Sequence, residues 1–167
     1  RILCIGSMSP SLLWGVALGN LLRGTPIDQN RNYVGGFLEL LNPYTLTAGL
    51  LTLGRFLLQG ACYLGLKTEG ELQRRAKKMA GRLPILVLCI SILSLWMAYP
   101  GMDRYLNLLL CVLLGLEIVL QRKIGLQFAV NCLVALSLVG KVFLPLYPRV
   151  MVSSLNPEWS LTIYNSS

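Results

Sequence analysis

The sequence has no histidine and few charged residues. Charged side chains make up 13% of the 167 residues, about half of the share that is usual in a soluble domain. The absence of histidine removes the commonest protein ligand of haem, zinc, copper and non-haem iron. Hydrophobic residues make up 54%, which is more apolar surface than one small soluble core can bury. These shortages exclude an ordinary soluble domain and predict an all-α, polytopic helical membrane protein.

Five apolar runs are separated by short polar connections, and a membrane-spanning helix needs about 20 mostly apolar residues. Asn42 and Pro43 supply an N-cap and a proline at the first helical position for the second run. The tail at 148–167 is too polar to cross a membrane. Because the chain begins with Arg1 rather than Met, we also expect an internal fragment of a longer protein. We predict a single transmembrane domain over residues 1–167, with spans at about 2–22, 43–66, 83–99, 105–120 and 124–147.

The most charged stretch is the connection at 67–82. Small and apolar residues there recur on one helical face, and basic residues cover the rest. One interpretation is a basic amphipathic turn or short helix that lies at anionic lipid headgroups, either separate from the second span or continuous with it. The other is a solvated loop helix, and the sequence favours neither.

The distribution of basic residues predicts the orientation in the membrane. Arg1, the 67–82 loop and the pair Arg122 and Lys123 place nine basic residues on one side, against four on the other. The positive-inside rule then puts the N-terminal end and loop 67–82 of a multi-pass membrane protein in the cytoplasm. Although the net charge is +8, the cations lie in connections between spans, so we expect no nucleic-acid partner.

Three charged residues lie inside the predicted spans, where each costs about 2.5–3.5 kcal/mol at a helix centre. Glu117 is within one turn of the cytoplasmic end, where we expect Arg122 or Lys123 to neutralise it. Lys141 is six residues before the end of its span, and we expect it to extend outward to the headgroups.

Arg55 lies deeper, roughly 17 Å from either end of its span by helix rise. Gln59 is one turn further along, in a stripe of polar residues that must face protein or water rather than lipid. We expect Arg55 to be buried in the bundle and neutralised by a carboxylate or a cofactor group. A structural ion pair with a helix outside this chain and a role in proton, quinone or cofactor chemistry both remain open. The stripe consists of Thr45, Thr52, Arg55, Gln59 and Cys62.

The residues themselves indicate little chemistry. No span carries a nucleophile beside a base, no glycine-rich loop suits phosphates, and the five cysteines form no Cys-x-x-Cys pair. We therefore expect no catalytic, cofactor-binding or metal-binding residue in this chain. A fragment of a secondary transporter and a structural membrane scaffold are the alternatives that composition alone allows.

Several short motifs, in order along nearly the whole chain, resemble subunit II of cytochrome bd-type quinol oxidases. They are GSMSP at 6–10, GVALGN at 15–20, LNPY at 41–44, LKTEGEL at 66–72, PRVMVSSLNP at 148–157 and SLTIYNSS at 160–167.

The resemblance implies a subunit with nine spanning helices, arranged as two four-helix bundles and one additional helix. This chain would correspond to helices four to eight of the nine. The resemblance also implies a haem-bearing subunit I as the partner, which holds haems b and d. The complex of the two subunits would oxidise quinol, reduce dioxygen to water and build a proton gradient. This chain would bind no haem, and a bound quinone or lipid is an option. Where relatives are expected to have His-Gly-Ala, this chain has Gln59-Gly60-Ala61, and glutamine does not titrate.

Overall fold

The computed structural model describes residues 2–30, 32–97 and 104–164, and five α-helices dominate them. A small antiparallel sheet of β1 (Arg149–Met151) and β2 (Leu161–Thr162) follows the last helix. The helices are α1 (Ile2–Arg23), α2 (Pro43–Lys67), α3 (Gly70–Trp96), α4 (Arg104–Val119) and α5 (Ile124–Leu146).

Four of the five helices begin and end within one residue of the predicted spans. The Asn42 side chain accepts a hydrogen bond from the Thr45 amide at 3.1 Å, which confirms the predicted N-cap of α2. Among the described residues, three helices are long and apolar enough to cross a membrane: α1 from Cys4, α2 and α5. The predicted end of the third span, residue 99, lies outside the described residues. Membrane crossing by α3 and α4 therefore stays a prediction.

The segment at 67–82 differs from its prediction. It is not a separate loop or an extension of α2, because α2 ends at Lys67 and residues 70–82 form the first half of α3. Gly70 adopts a φ of +69°, a conformation that glycine allows at low cost, and the chain reverses direction there. The basic residues therefore lie on a long helix of 27 residues that continues into the apolar run.

Pro84 lies inside α3, where a proline leaves the carbonyl four residues earlier without its helical hydrogen bond. That carbonyl belongs to Ala80, and Gln127 of α5 donates a hydrogen bond to it through Nε2 at 2.7 Å. Both Pro84 and Gln127 are fully buried. A side chain of a neighbouring helix thus replaces the missing backbone donor.

Helix α2 is at the centre of the bundle and packs against α1, α3 and α5. Glycines allow its close contact with α1. A methyl group on Gly15 would lie 2.6 Å from the Ala48 carbonyl oxygen, and one on Gly49 would lie 2.9 Å from the Leu12 carbonyl oxygen. This agrees with the use of small residues where membrane helices approach closely.

The connection between α1 and α2 joins the tail that follows α5. The Thr25 amide donates to the Val152 carbonyl and the Ser154 amide donates to the Thr25 carbonyl, both at 2.9 Å. The buried Ser153 hydroxyl donates to the Ile27 carbonyl, also at 2.9 Å. These contacts form a cover over one end of the bundle, here called the capped end (residues 24–30, 32–42 and 147–164). The opposite end, where α2 turns into α3 and α4 into α5, is here called the basic end.

Candidate functional site: a buried arginine network

Arg55 forms an ion pair inside the bundle. It is 6% exposed, and Glu117 of α4 is 0% exposed. The Arg55 Nη1 atom is 2.7 Å from both carboxylate oxygens of Glu117. The expectation that Arg55 is buried and neutralised by a carboxylate is confirmed. The alternative that its partner belongs to a helix outside this chain is wrong, because Glu117 is the partner.

An amide connects this ion pair to α5 and to the outside of the bundle. Asn131 Oδ1 accepts a hydrogen bond from Arg55 Nη1 at 2.7 Å, and Asn131 Nδ2 donates to Gln59 Oε1. Gln59 Nε2 in turn donates to the exposed sulfur of Cys132 at 3.1 Å. Together Arg55, Glu117, Asn131 and Gln59 are here called the Arg55 network, and they join α2, α4 and α5.

The energetics of the Arg55 network are those of a buried ion pair. Removing two charges from water costs several kcal/mol each, and good geometry with additional hydrogen bonds is needed to offset that cost. Asn131 supplies one of these hydrogen bonds. Among the described residues, Arg55 Nε and Nη2 are buried without a hydrogen-bond partner. The guanidinium therefore keeps two nitrogens, with three N–H groups between them, unused inside the bundle.

The expected neutralisation of Glu117 by Arg122 or Lys123 is wrong. Both basic residues are exposed at the basic end, whereas the Glu117 carboxylate points into the bundle. The face of α4 that carries Glu117 also carries the buried Leu110 and Leu114, three or four residues apart. The rotation of α4 about its own axis, rather than distance along the chain, decides the partner.

The expected outward extension of Lys141 is also wrong. Lys141 is 8% exposed and lies on the same face of α5 as the buried Val134 and the partly buried Leu138. It borders a cavity of about 240 Å³ between α1, α2 and α5 that also reaches Arg55. Most of the cavity wall is apolar, with Trp14, Leu18, Phe56 and Leu138 among the lining residues.

The predicted polar stripe of α2 faces protein. Thr45, Arg55 and Cys62 are buried, and Thr52 and Gln59 are partly buried. Thr52 also donates to the Ser11 carbonyl of α1 at 3.0 Å. Sequence reasoning missed Asn131 and Gln127, although two amide side chains four residues apart in an apolar run are a signal that they share a buried face.

The arrangement offers fixed charge and hydrogen bonding but no reactive centre. Within the described ranges, no group of three or more histidine, cysteine, aspartate or glutamate side chains could hold a metal ion. The Arg55 network can fix the relative positions of three helices and hold a charge pair inside the bundle. The cavity can hold part of an apolar molecule against the two cations on its wall, Arg55 and Lys141.

Comparison with known proteins gives a consistent result. A family model described as cytochrome bd terminal oxidase subunit II matches residues 1–167. The chain is 41% identical over 106 residues to the cytochrome bd-I ubiquinol oxidase subunit 2 of Escherichia coli K12, which covers 60% of this chain and 28% of that protein. It is 29% identical over 177 aligned residues to the cytochrome bd ubiquinol oxidase subunit 2 of Bacillus subtilis, which covers 99% of this chain and 52% of that protein. The chain thus spans about half of the length of these relatives, or less.

Proposed function

The chain belongs to the cytochrome bd terminal oxidase subunit II family, and we propose that it acts as the non-haem subunit of a bd-type quinol oxidase. The family match over all 167 residues is the observation that carries this proposal. In the proposed complex, a haem-bearing subunit I is the partner, quinol is oxidised, dioxygen is reduced to water and a proton gradient is built. This chain alone is not catalytic.

Haems b and d belong to the partner in this proposal. The sequence contains no histidine, the usual axial ligand of b-type haem, and its described residues form no cluster of metal-ligating side chains. In this proposal, the residues of this chain hold the helices in place and supply fixed charges. The Arg55 network holds α2, α4 and α5 together, and the resulting bundle braces the haem subunit and helps to line proton or oxygen access to it.

The cavity between α1, α2 and α5 is the place where we propose a bound quinone or lipid. Its volume of about 240 Å³ is below the range of about 300–1,000 Å³ usual for small-molecule sites, so it suits a ring or a length of acyl chain. Lys141 is on its wall and can donate to a carbonyl or ester oxygen, whereas the unpaired nitrogens of Arg55 are buried away from the cavity.

Solvent extraction of the purified complex followed by mass spectrometry tests this occupant. Leu138→Trp fills the cavity and should lower the amount of extracted quinone or lipid. Leu136→Trp, on the exposed face of the same helix, should leave it unchanged. Equal recovery from both variants would contradict occupancy of the cavity.

We further propose that the protein resides in the bacterial plasma membrane with the basic end in the cytoplasm. A reporter enzyme that is active only outside the cytoplasm, fused after residue 69 or after residue 155, tests this orientation. Activity only in the second fusion supports it, and the reverse result contradicts it.

The central experiment is purification of the complex from cells that express the gene with any neighbouring haem-subunit gene. We expect b- and d-type haem absorbance and quinol-dependent oxygen uptake in the fraction that contains this chain. Purification in a complex without a chromophore would refute the proposal. Arg55→Leu and Gln59→Leu separate the proposed role from a passive scaffold, because a scaffold predicts undiminished quinol oxidation in assembled variants.

A further inference from the structure

The basic residues of α3 do not extend beyond the ends of the other helices. Ala80 packs with Leu58 and Cys62 of α2 in a buried cluster. Nearer to the turn, Gln73 Nε2 donates to the Gly65 carbonyl at 3.3 Å. Since α3 runs back along α2, residues 73–80 lie at the same depth in the bundle as residues 58–65.

The cations at this depth point away from the bundle. Ala76 and Ala80 face inward and are buried, whereas the basic side chains between and around them are exposed. The exposed cations at this end, here called the basic collar, are Lys67, Arg74, Lys77, Lys78, Arg82, Arg122 and Lys123. Arg75 is left out because it pairs with Glu71. The collar therefore carries a large excess of positive charge.

The basic collar conflicts with a span of α2 that reaches residue 66. Hydrocarbon at that depth would surround Lys78 and Arg82 at a high cost in free energy. The conflict disappears if the headgroup layer begins at the level of Arg82, beside Gln59. Tyr63 of α2 is half-exposed in the same layer, and tyrosine is enriched at membrane–water interfaces.

We propose that the basic collar binds the phosphate groups of anionic phospholipids, with the headgroup layer beginning at the level of Arg82. Charge complementarity favours this partner. Continuity with apolar surface favours it over nucleic acid or an acidic protein, because the next exposed residues along α3 are Ile85 and Leu86, which suit acyl chains. The proposal needs only that the bundle is in a membrane, and it does not depend on oxidase activity.

The proposal changes the depth assigned to the Arg55 network. Gly54 lies against Val87, only five residues beyond Arg82. Arg55 is then roughly 7 Å from the headgroup layer by helix rise, rather than in the middle of the bilayer. Gln59 and Cys132 lie at the edge of that layer and connect Arg55 to it through Asn131.

Lipid retention by the purified complex tests the partner. Native mass spectrometry after incubation with dioleoylphosphatidylglycerol or dioleoylphosphatidylcholine should show preferential retention of the anionic lipid. Lys78→Gln with Arg82→Gln should weaken that retention by about tenfold or more. Arg23→Gln with Arg149→Gln removes the same charge at the capped end and should have no such effect. Equal retention of the two lipids, or equal loss in both double variants, would overturn the proposal.

Thiol accessibility in the unaltered complex tests the depth without any substitution. Cys132 is exposed beside Gln59, and Cys89 is exposed two turns of α3 beyond Arg82, roughly 10 Å deeper. A membrane-impermeant maleimide added to the basic side of vesicles should label Cys132 and leave Cys89 unlabelled, as read by peptide mass spectrometry. Protection of Cys132, or equal labelling of both thiols, would contradict the proposed depth.

Discussion

The part of the chain that the structure describes contains two arginine–glutamate pairs of the same chemistry in opposite surroundings. Arg55 and Glu117 have side-chain exposures of 7% and 0%, and they are 62 residues apart in the sequence. Arg75 and Glu71 have exposures of 73% and 74%, and they are one helical turn apart. The first pair lies inside the bundle, and the second lies on the surface of α3.

The difference between the two pairs shows that environment decides what an ion pair contributes. An exposed pair one turn apart on a helix contributes about 0.3–0.5 kcal/mol, because water and salt screen it. A buried pair contributes little net stability against apolar residues of the same shape, but loss of one partner leaves an uncompensated charge. The inner pair therefore links α2 to α4, whereas the outer pair only supports its own helix.

The largest effect is expected from Glu117→Ala. The uncompensated Arg55 should lower the free energy of unfolding by about 3–5 kcal/mol, measured by denaturant titration of the purified protein in detergent. Arg55→Leu combined with Glu117→Leu should recover much of that loss, because no buried charge remains. If the double variant lost as much stability as Arg55→Leu and Glu117→Leu lose together when measured singly, the ion-pair explanation would be wrong.

The next effect in size is expected from Gln127→Leu. It leaves the Ala80 carbonyl without a donor, which should cost about 1–3 kcal/mol. The same substitution in a Pro84→Ala background should cost less, since the restored amide of residue 84 can donate to that carbonyl. Denaturation curves of the unaltered protein, the two single variants and the double variant measure the coupling between positions 84 and 127. Additive losses would show that Gln127 acts in some other way.

A smaller loss, of about 1–2 kcal/mol, is expected from Gly15→Ala. The added methyl group meets the backbone of α2 and must separate the two helices slightly. Gly60→Ala is the matched control, because a methyl group there meets nothing within 4 Å. Thermal unfolding of both variants should rank them in this order, and equal midpoints would mean that α1 and α2 are not packed as closely as described.

The smallest effect is expected from Arg75→Gln, which breaks the exposed pair. Its cost should be below about 0.5 kcal/mol and should vanish at high salt. Unfolding at low and high ionic strength measures it. A loss comparable to that of Glu117→Ala would abolish the distinction between the two pairs.

The two pairs also show which contacts can be predicted from the sequence and which cannot. Local spacing is enough to place Glu71 beside Arg75, and hydropathy is enough to locate α1, α2, α4 and α5. The partner of Arg55 depends on the rotation of α4 and α5 about their axes, which no short stretch of sequence determines. The rotation of α5 also decides the position of Lys141, because the face of α5 that carries it points inward rather than toward the headgroups.

Pro84 explains why α3 begins earlier than predicted. Proline is usual in the first turn of a helix, so its position after a charged segment predicted a helix start there. The structure continues α3 through it because Gln127, from another helix, supplies the missing donor. A compensating contact between residues 47 positions apart in sequence is not visible in a local pattern.

The cover at the capped end has a consequence for biosynthesis. Its hydrogen bonds join the backbone at Thr25 and Ile27 to Val152, Ser153 and Ser154, which are made more than a hundred residues later. Because translation supplies the N-terminal part first, this closure can form only after α5 and the tail that follows it have been made. Until α5 has been inserted and its tail has emerged, the loop after α1 lacks these partners, and nascent chains should remain sensitive to protease there.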